Sequence, residues 1–267
     1  MSTNILAKIV AQKFVEVAER KKQISIGELE AMPLFTKAGY SLKSNLVDPN
    51  KTGIIAEFKR QSPSKGIINN TALVHEVTKA YSDFGASGIS VLTDTHFFGG
   101  SLDDLAIAVK NTTPVLRKEF IIDEFQIIEA KAYGASVILL IASCLTPAET
   151  KLLSATAKQL GIEVLLEIHD ETEMEHICDE VDFVGVNNRS LKSFEVNIEH
   201  SLQLRSRLPK NKLSIAESGI YDLATFQLLK KEGFDGFLMG EYFMKQADPA
   251  KAFELFASQI KSSSHAI

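Results

Sequence analysis

The stretch YGASVILLIASCLTPAETKLLSATAKQLGIEVLLEI, residues 133–168, contains one strand, one helix and the next strand. Residues 137–142 form a continuous apolar run, which is typical of a parallel strand covered by helices on both faces. A hydroxyl cap at Thr146, a proline after it and Glu149 three residues later then predict a helix start. Gly161 follows the helix, where a left-handed residue is favoured. The stretch therefore predicts a repeating βα unit.

The same unit recurs from residue 53 onward. Similar helix exits occur at FGAS, residues 84–87, and at EGFD, residues 232–235. Eight strand candidates result: residues 53–58, 88–93, 114–119, 137–142, 163–168, 183–187, 213–217 and 236–240. Eight βα units without an intervening linker predict an α/β fold of the (β/α)8 TIM-barrel type. The main alternative is an open doubly wound sheet, which usually has a GxGxxG turn after its first strand; SPSKG, residues 62–66, is not one.

The length and composition suit one large domain. The chain has 267 residues, of which 45% are hydrophobic. Residues 1–50, with an amphipathic pattern over residues 4–21, are predicted to be an N-terminal helical extension packed across one end of the barrel. Residues 51–260 are predicted to form the barrel itself. Residues 261–267 are predicted to be a disordered tail.

The charge pattern and the cysteines restrict the partners and the location. The net charge is −5, and the basic residues form no long block, so nucleic acid is not an expected partner. No apolar run approaches the roughly 18 to 20 residues of a membrane span. Two cysteines outside any CxxC pattern, and no signal-like leader, predict a cytoplasmic protein. The histidines show no metal-binding spacing, so neither a metal nor a cofactor is expected.

Charged and amide side chains recur at the carboxyl ends of the predicted strands. They are Glu57, Lys59, Lys118, Glu167, Asn187 and Glu217. For any one of them, the simpler explanation is that a strand ends at solvent. In a barrel, however, the carboxyl ends of the strands meet at one rim, and alternation directs Glu57 and Lys59 to the same side. Repetition on several strands favours paired, partly buried charges of the kind used in acid–base catalysis.

Two glycine-bearing turns follow the last two strands: ESGI, residues 217–220, and MGEYFM, residues 239–244. The corresponding loops of (β/α)8 barrels commonly bind phosphate through backbone N–H groups. Glu241 would contribute its N–H and turn its carboxylate away from the anion. Phe97 and Phe98 precede a Gly-Gly pair, and Phe120 follows Lys118. These rings either form the wall for an aromatic ligand or pack under their own loops.

Seven segments in order resemble the indole-3-glycerol phosphate synthase family. They are IIAEFKRQSPSKG (54–66), SVLTDTHFFGGSLDDL (90–105), PVLRKEFIIDEFQI (114–127), LLEIHD (165–170), VGVNNRSL (184–191), IAESGI (215–220) and FLMGEYFM (237–244). The resemblance implies a carboxy-lyase of tryptophan biosynthesis that needs no cofactor. Its substrate would be 1-(2-carboxyphenylamino)-1-deoxyribulose 5-phosphate, which closes to indole-3-glycerol phosphate with loss of carbon dioxide and water. Other tryptophan-pathway enzymes are candidate partners.

The resemblance also implies roles for residues. Lys118 would be the general acid of ring closure, and Glu167 and Lys59 would serve dehydration and rearomatisation. Glu57 would bind a substrate hydroxyl or the lysines, while Asn187 and Glu217 would orient the substrate. The phosphate would be held by Lys59, Ser62, Ser218, Gly219, Gly240 and Glu241, with Arg189 completing the network, and the anthranilate ring would pack on Phe97, Phe98 and Phe120.

Two rival functions are considered for the same fold. A phosphoribosylanthranilate isomerase would require a Cys/Asp pair at the ends of strands one and five, where this chain has Glu57, Lys59 and Glu167. A non-catalytic barrel that binds a phosphorylated metabolite would be expected to lose its acids and bases. All of the proposed acids and bases are present, so the enzyme is favoured.

Overall fold

The computed structural model describes residues 5–190 and 195–264. Within these ranges, eight parallel strands form a closed barrel, and the predicted (β/α)8 fold is confirmed. The strands are β1 (Ile54–Phe58), β2 (Gly88–Leu92), β3 (Val115–Lys118), β4 (Val137–Ile141), β5 (Glu163–Ile168), β6 (Phe183–Asn187), β7 (Leu213–Glu217) and β8 (Gly236–Met239). Each strand pairs with its neighbour in sequence, and the pairing of Ile54 with Phe237 closes the ring between β1 and β8.

Alternation along the strands divides the core into two apolar layers. Ile54, Ala56 and Phe58 of β1 belong to the layer between the barrel and its surrounding helices. Ile55 belongs to the separate layer that fills the barrel interior. Because side chains two residues apart share a face, Glu57 lies on the inner side with Ile55. The pattern of β1 alone therefore places Glu57 at the mouth of the barrel.

The helices begin and end largely where their punctuation predicts. They are α1 (Ile5–Gln23), α2 (Ile26–Glu30), α3 (Leu42–Val47), α4 (Val74–Asp83), α5 (Thr95–Phe98), α6 (Leu102–Ala108), α7 (Glu124–Ala132), α8 (Pro147–Gln159), α9 (Ile198–Arg205), α10 (Leu223–Lys231), α11 (Glu241–Met244) and α12 (Pro249–Ser264). Thr146 and Glu149 form the predicted capping box of α8, and Gly161 has a φ of 69°. None of the described helices has the length and apolar character needed to cross a membrane.

The N-terminal extension contacts both ends of the barrel, whereas the sequence predicted contact with one end. Ile5 and Ile9 of α1 line the cavity at the carboxyl ends of the strands. At the opposite end, Glu163, the first residue of β5, accepts a 2.7 Å hydrogen bond from the backbone N–H of Leu42 at the start of α3. Leu42 also contacts Gly88 at the start of β2, where an added Cβ would lie 2.8 Å from its side chain. The extension therefore covers the mouth and closes the base.

The C-terminal helix extends into the predicted tail. Helix α12 continues to Ser264, so the prediction of a disordered segment is wrong for residues 261–264. The serine hydroxyls satisfy carbonyls of the last turns: Ser262 Oγ donates to the carbonyl of Ser258 over 3.0 Å, and Ser263 Oγ to that of Ile260 over 2.9 Å. Both hydroxyls thus find an acceptor within the helix itself. Residues 265–267 lie outside the described residues.

Candidate active site

One cavity at the carboxyl ends of the strands collects the strand-end residues that the sequence singled out. Its lining includes Glu57, Lys59, Lys118, Glu167, Asn187 and Glu217. These six come from β1, β3, β5, β6 and β7 and from the residue after β1. They are separated in sequence and meet only because the barrel brings the ends of its strands to one rim.

Lys118 lies between two buried carboxylates. Its Nζ is 2.7 Å from Glu217 Oε2 and 3.2 Å from Glu167 Oε2. Burial alone would lower the pKa of Lys118, but the carboxylates of Glu217, Glu167 and Glu57 outweigh burial and raise it. The ammonium is therefore held in its charged form at the end of a largely apolar barrel interior.

The two carboxylates that share this ammonium are driven apart in pKa. Burial raises the pKa of Glu217 to about 7, because Lys118 only partly offsets it and the charge of Glu167 adds to it. Burial also acts to raise the pKa of Glu167. The charges of Lys118 and His169, together with the 3.1 Å hydrogen bond from Asn187 Nδ2, outweigh burial and hold this pKa below its usual value. One ammonium thus supports one firmly ionised carboxylate and one that readily takes a proton.

Glu57 and Lys59 form a second charged pair. Lys59 Nζ lies 2.7 Å from Glu57 Oε1, so both side chains point inward from β1 as alternation predicts. Gly240 makes room for this pair, because a Cβ added there would lie 2.5 Å from Glu57 Oε1. The close approach of β8 to β1 explains why glycine follows β8.

The predicted phosphate-binding residues line another part of the same cavity. They are Lys59, Ser62, Ser218, Gly219, Gly240, Glu241 and Arg189. Ser218 has a φ of 66° and Gly219 a φ of 75°, so two successive left-handed residues form the turn after β7. A left-handed serine costs about 1–3 kcal/mol, and such strain is commonly found at functional sites. Asn188 Nδ2 holds the turn by donating to the carbonyl of Ser218 over 2.7 Å.

Arg189 neutralises the acidic residue of this region. Its Nη2 lies 3.1 Å from Glu241 Oε2 and donates to the hydroxyl of Tyr221 over 3.0 Å. Lys65 Nζ lies 3.8 Å from the other carboxylate oxygen of Glu241. The carboxylate is thus paired with cations, which removes the repulsion that an anion would otherwise meet.

The aromatic candidates separate into two groups. Phe98 and Phe120 line the cavity, with ring centroids 5.9 Å apart. Phe97 is not among the described lining residues, and its ring stands edge-on to His96 at 4.8 Å between centroids. The wall is completed by Leu139 and by apolar residues of α1. The apolar wall therefore comprises two of the three predicted rings and part of the extension.

The sequence reading missed a buried ion-pair cluster behind this wall. Lys13 Nζ of α1 lies 2.7 Å from Asp94 Oδ2 and 3.1 Å from Glu119 Oε1, and the three side chains are almost fully buried. Asp94 Oδ1 also accepts hydrogen bonds from the backbone N–H groups of Phe97 and Phe98. The sequence contained a sign that Lys13 is buried: it lies four residues from Ile9 and four from Val17, on the apolar face of the amphipathic pattern of α1.

Metal binding finds no support in the described part of the chain, where no group of three or more His, Cys, Asp or Glu side chains could hold an ion. Lys59 and Lys118 of the cavity pair with glutamates: Lys59 with Glu57, and Lys118 with Glu167 and Glu217. The fold and the cavity define a class of protein: a (β/α)8 barrel with lysine–glutamate pairs on its strands and strained or glycine-bearing turns after β7 and β8.

Comparison with known proteins identifies the family within this class. The family model for indole-3-glycerol phosphate synthase matches residues 6–256. The indole-3-glycerol phosphate synthase of Bacteroides thetaiotaomicron is 42% identical, covering 97% of this chain and 99% of its own. That of Polynucleobacter asymbioticus is 40% identical, covering 96% of this chain and all of its own. The chain belongs to the indole-3-glycerol phosphate synthase family, and the predicted assignment to the carboxy-lyases of tryptophan biosynthesis is confirmed.

Solved structures agree on the fold. Tryptophan synthase subunit alpha from Legionella pneumophila superposes with a TM-score of 0.62 at 13% identity, covering 85% of this chain and 98% of its own. The 3-hexulose-6-phosphate synthase of Salmonella typhimurium superposes with a TM-score of 0.61 at 14% identity, covering 78% and 98% respectively. At such low identity these matches bear on the barrel architecture alone.

Proposed function

We propose that this chain converts 1-(2-carboxyphenylamino)-1-deoxyribulose 5-phosphate into indole-3-glycerol phosphate, carbon dioxide and water. The observation that carries the proposal is the placement of Lys118, a partly buried ammonium between Glu167 and Glu217 in a cavity walled by Phe98 and Phe120. Ring closure requires an aromatic carbon to attack a ketone whose oxygen becomes an alcohol. A positioned ammonium stabilises that developing charge and supplies the proton.

The substrate has an aromatic carboxylate end and a phosphate end, and the cavity offers a matching arrangement. The anthranilate ring packs against Phe98 and Phe120. The phosphate is bound by Lys59, Ser62 and Arg189 and by backbone N–H groups at Ser218, Gly219, Gly240 and Glu241, in keeping with the place of these residues in the lining. This orientation puts the ketone carbon between the two ends, within reach of the Lys118 ammonium.

Ring closure consumes the proton of Lys118 and is followed by decarboxylation, in which the bond to the carboxyl carbon breaks and its electrons restore the aromatic ring. The alcohol formed must then leave as water, and a C–H proton next to the ring nitrogen must be lost. Glu167 suits the role of base, because its pKa lies below the usual value and it is ionised at neutral pH. Lys59, held by Glu57, suits the role of acid for the departing hydroxyl.

The remaining polar groups position the substrate. Asn187 donates to Glu167 Oε1 and fixes the orientation of that carboxylate. Glu57 and Glu217 are placed to accept hydrogen bonds from sugar hydroxyls when the lysines move their protons. The cytoplasmic location and any association with other tryptophan-pathway enzymes remain predictions.

The test is direct conversion of the substrate by the purified protein, followed by the fluorescence of the indole product, in buffer containing a chelator and no added cofactor. We expect saturable product formation. A variant of the exposed Lys79, which pairs only with Asp83 at the surface among the described ion pairs, serves as the matched lysine control. No product from the wild-type protein would contradict the proposed function, and isomerisation of phosphoribosylanthranilate instead would favour the rival enzyme.

A further inference from the structure

His169 lies behind Glu167 and is absent from the described residues that line the cavity. Its Nε2 is 3.3 Å from Glu167 Oε1. On the other side of the ring, Nδ1 is 3.5 Å from Ser143 Oγ and 3.6 Å from Glu173 Oε2. The imidazole therefore bridges the carboxylate assigned to catalysis and a second carboxylate outside the cavity.

The bridge runs from the interior to the surface. The side chain of Glu167 is 4% exposed, that of His169 12% and that of Glu173 14%. Ser143 is exposed and donates its hydroxyl proton to Glu173. Glu173 is anchored as well, because its Oε2 accepts a 2.6 Å hydrogen bond from the backbone N–H of His169. These groups form a line from solvent to the buried end of Glu167, although Nε2 of His169 makes no hydrogen bond in this conformation and the ring must turn slightly before the 3.3 Å contact with Glu167 can carry a proton.

The reaction requires such a connection. When the substrate carboxylate leaves as neutral carbon dioxide, its negative charge must be balanced by one proton taken up from solvent. Within the site, two protons are given, to the ketone oxygen and to the departing hydroxyl, and one is recovered from carbon. Glu167 is buried, and Lys118 is largely enclosed by its carboxylate partners. A substrate in the cavity would stand between these groups and the mouth, so a second route from solvent would supply the proton while the site is occupied.

We propose that His169, supported by Glu173 and Ser143, is the positioning residue that returns this proton to Glu167. A proton arrives at Nδ1 from the Ser143 and Glu173 side, and the Nε2 proton passes to Glu167 Oε1. Glu167 then restores the ammonium of Lys118, which lies 3.2 Å from Glu167 Oε2. Rotation of the imidazole ring resets the tautomer. The inference rests on the proposed function, because the need for the proton comes from that reaction.

The surroundings of His169 favour its protonated form. Burial lowers its pKa, but the carboxylates of Glu173, Glu167 and Glu217 outweigh burial and raise it. The nearby thiol of Cys144 stays neutral, because burial raises its pKa to about 12. From α9, His200 Nε2 donates to the backbone carbonyl of His169 over 2.9 Å and holds the segment in place.

The experiment compares His169→Ala with His169→Gln. Glutamine retains an N–H donor for Glu167 but cannot relay a proton, whereas alanine leaves space for free imidazole. We expect kcat to fall by about tenfold or more in both variants, within the range for loss of a proton-transfer group, while KM changes little. Added imidazole should raise kcat of His169→Ala in proportion to the imidazole concentration and to the fraction of the imidazole that is protonated. Glu173→Gln should also slow turnover.

Near wild-type kcat in His169→Gln would show that a hydrogen bond suffices and that no proton passes through the ring. If kcat of His169→Ala is low and added imidazole does not raise it, this would also show that no proton passes through the ring. His75→Ala, at an exposed histidine, is the matched control: its kcat and KM should equal those of the wild-type protein, and added imidazole should not change them. If the wild-type protein forms no indole-3-glycerol phosphate, the proposed function is wrong. If the wild-type protein forms the product but the His169 variants keep a near wild-type kcat, only the proposed proton route is wrong.

Discussion

Nζ of Lys118 and Oε2 of Glu217 lie 2.7 Å apart, with the side chain of Glu217 1% exposed and that of Lys118 15%, and Glu167 approaches the same ammonium from a neighbouring direction. One positive charge therefore serves two negative ones. Because both carboxylates are removed from water, the protein cannot hold them both ionised without cost. The arrangement separates their proton affinities and gives the site a base and a group able to take a proton at neutral pH.

Glu217→Gln should gain stability relative to the wild-type protein as pH rises. The pKa of Glu217 is raised in the folded state from 4.5 to about 7, so the native protein holds more protons than the unfolded chain between these values. Its stabilising contribution is full below pH 4.5 and is lost as pH rises through 7. Thermal unfolding of both proteins at pH 5 and pH 8 should show the variant's relative advantage growing by on the order of 1–3 kcal/mol. An advantage that shrinks with pH would contradict the assignment.

Gly240→Ala should lower kcat, because the added methyl group would meet the side chain of Glu57 at 2.5 Å and displace its pair with Lys59. A loss of about tenfold or more is expected from misplacing an acid–base group. The matched control is Gly27→Ala, where nothing lies within 4 Å of the added atom. Steady-state kinetics of the two variants provide the comparison, and unchanged kcat in Gly240→Ala would count against a catalytic role for the Glu57–Lys59 pair.

Lys13→Met should destabilise the fold far more than Lys21→Met on the same helix. Removing Lys13 takes the described cation from buried Asp94 and leaves Glu119 with Arg117 at 3.9 Å, which costs about 3–5 kcal/mol. Lys21 pairs with Asp123 at the surface, where the loss is about 1 kcal/mol or less. Urea unfolding measures both. Equal effects would mean that the buried cluster does not hold the extension on the barrel.

Phe98→Leu should raise KM more than Phe97→Leu. The two residues are adjacent in sequence, but of these two only Phe98 is among the described residues that line the cavity. Its ring centroid lies 5.9 Å from that of Phe120. Loss of an aromatic contact worth about 0.5–1.5 kcal/mol predicts an increase in KM of a few-fold. Substrate saturation curves for the two variants decide the matter. A larger effect at Phe97 would place the anthranilate ring elsewhere.

Features that depend on local pattern could be predicted from the sequence. Strand bounds agreed within one residue, because apolar runs between helix caps leave little freedom. The inward direction of Glu57 and Lys59 followed from alternation, and the six strand-end residues meet as barrel geometry requires. Family resemblance supplied the roles that pattern alone left open.

Features that depend on distant partners could not be predicted. Spacing did not reveal that Lys118 is shared by two glutamates, or that His169 touches Glu167, because both contacts arise from tertiary packing. The segment containing Lys13 looked like an ordinary amphipathic helix, and its buried lysine has meaning only beside Asp94. The tail was predicted to be disordered because it lies at a chain terminus, whereas α12 continues to Ser264.

The central claim is that Lys118 supplies the proton of ring closure, and the most direct measurement is single-turnover product formation by Lys118→Ala beside Lys79→Ala. Removing a positioned general acid should slow the chemical step by about 10²–10⁴-fold. Substrate affinity, measured by quenching of the anthranilate fluorescence, should change little, and circular dichroism establishes that the variant is folded. Lys79→Ala should match the wild-type protein. Indole-3-glycerol phosphate formation by Lys118→Ala at close to the wild-type rate would contradict the account.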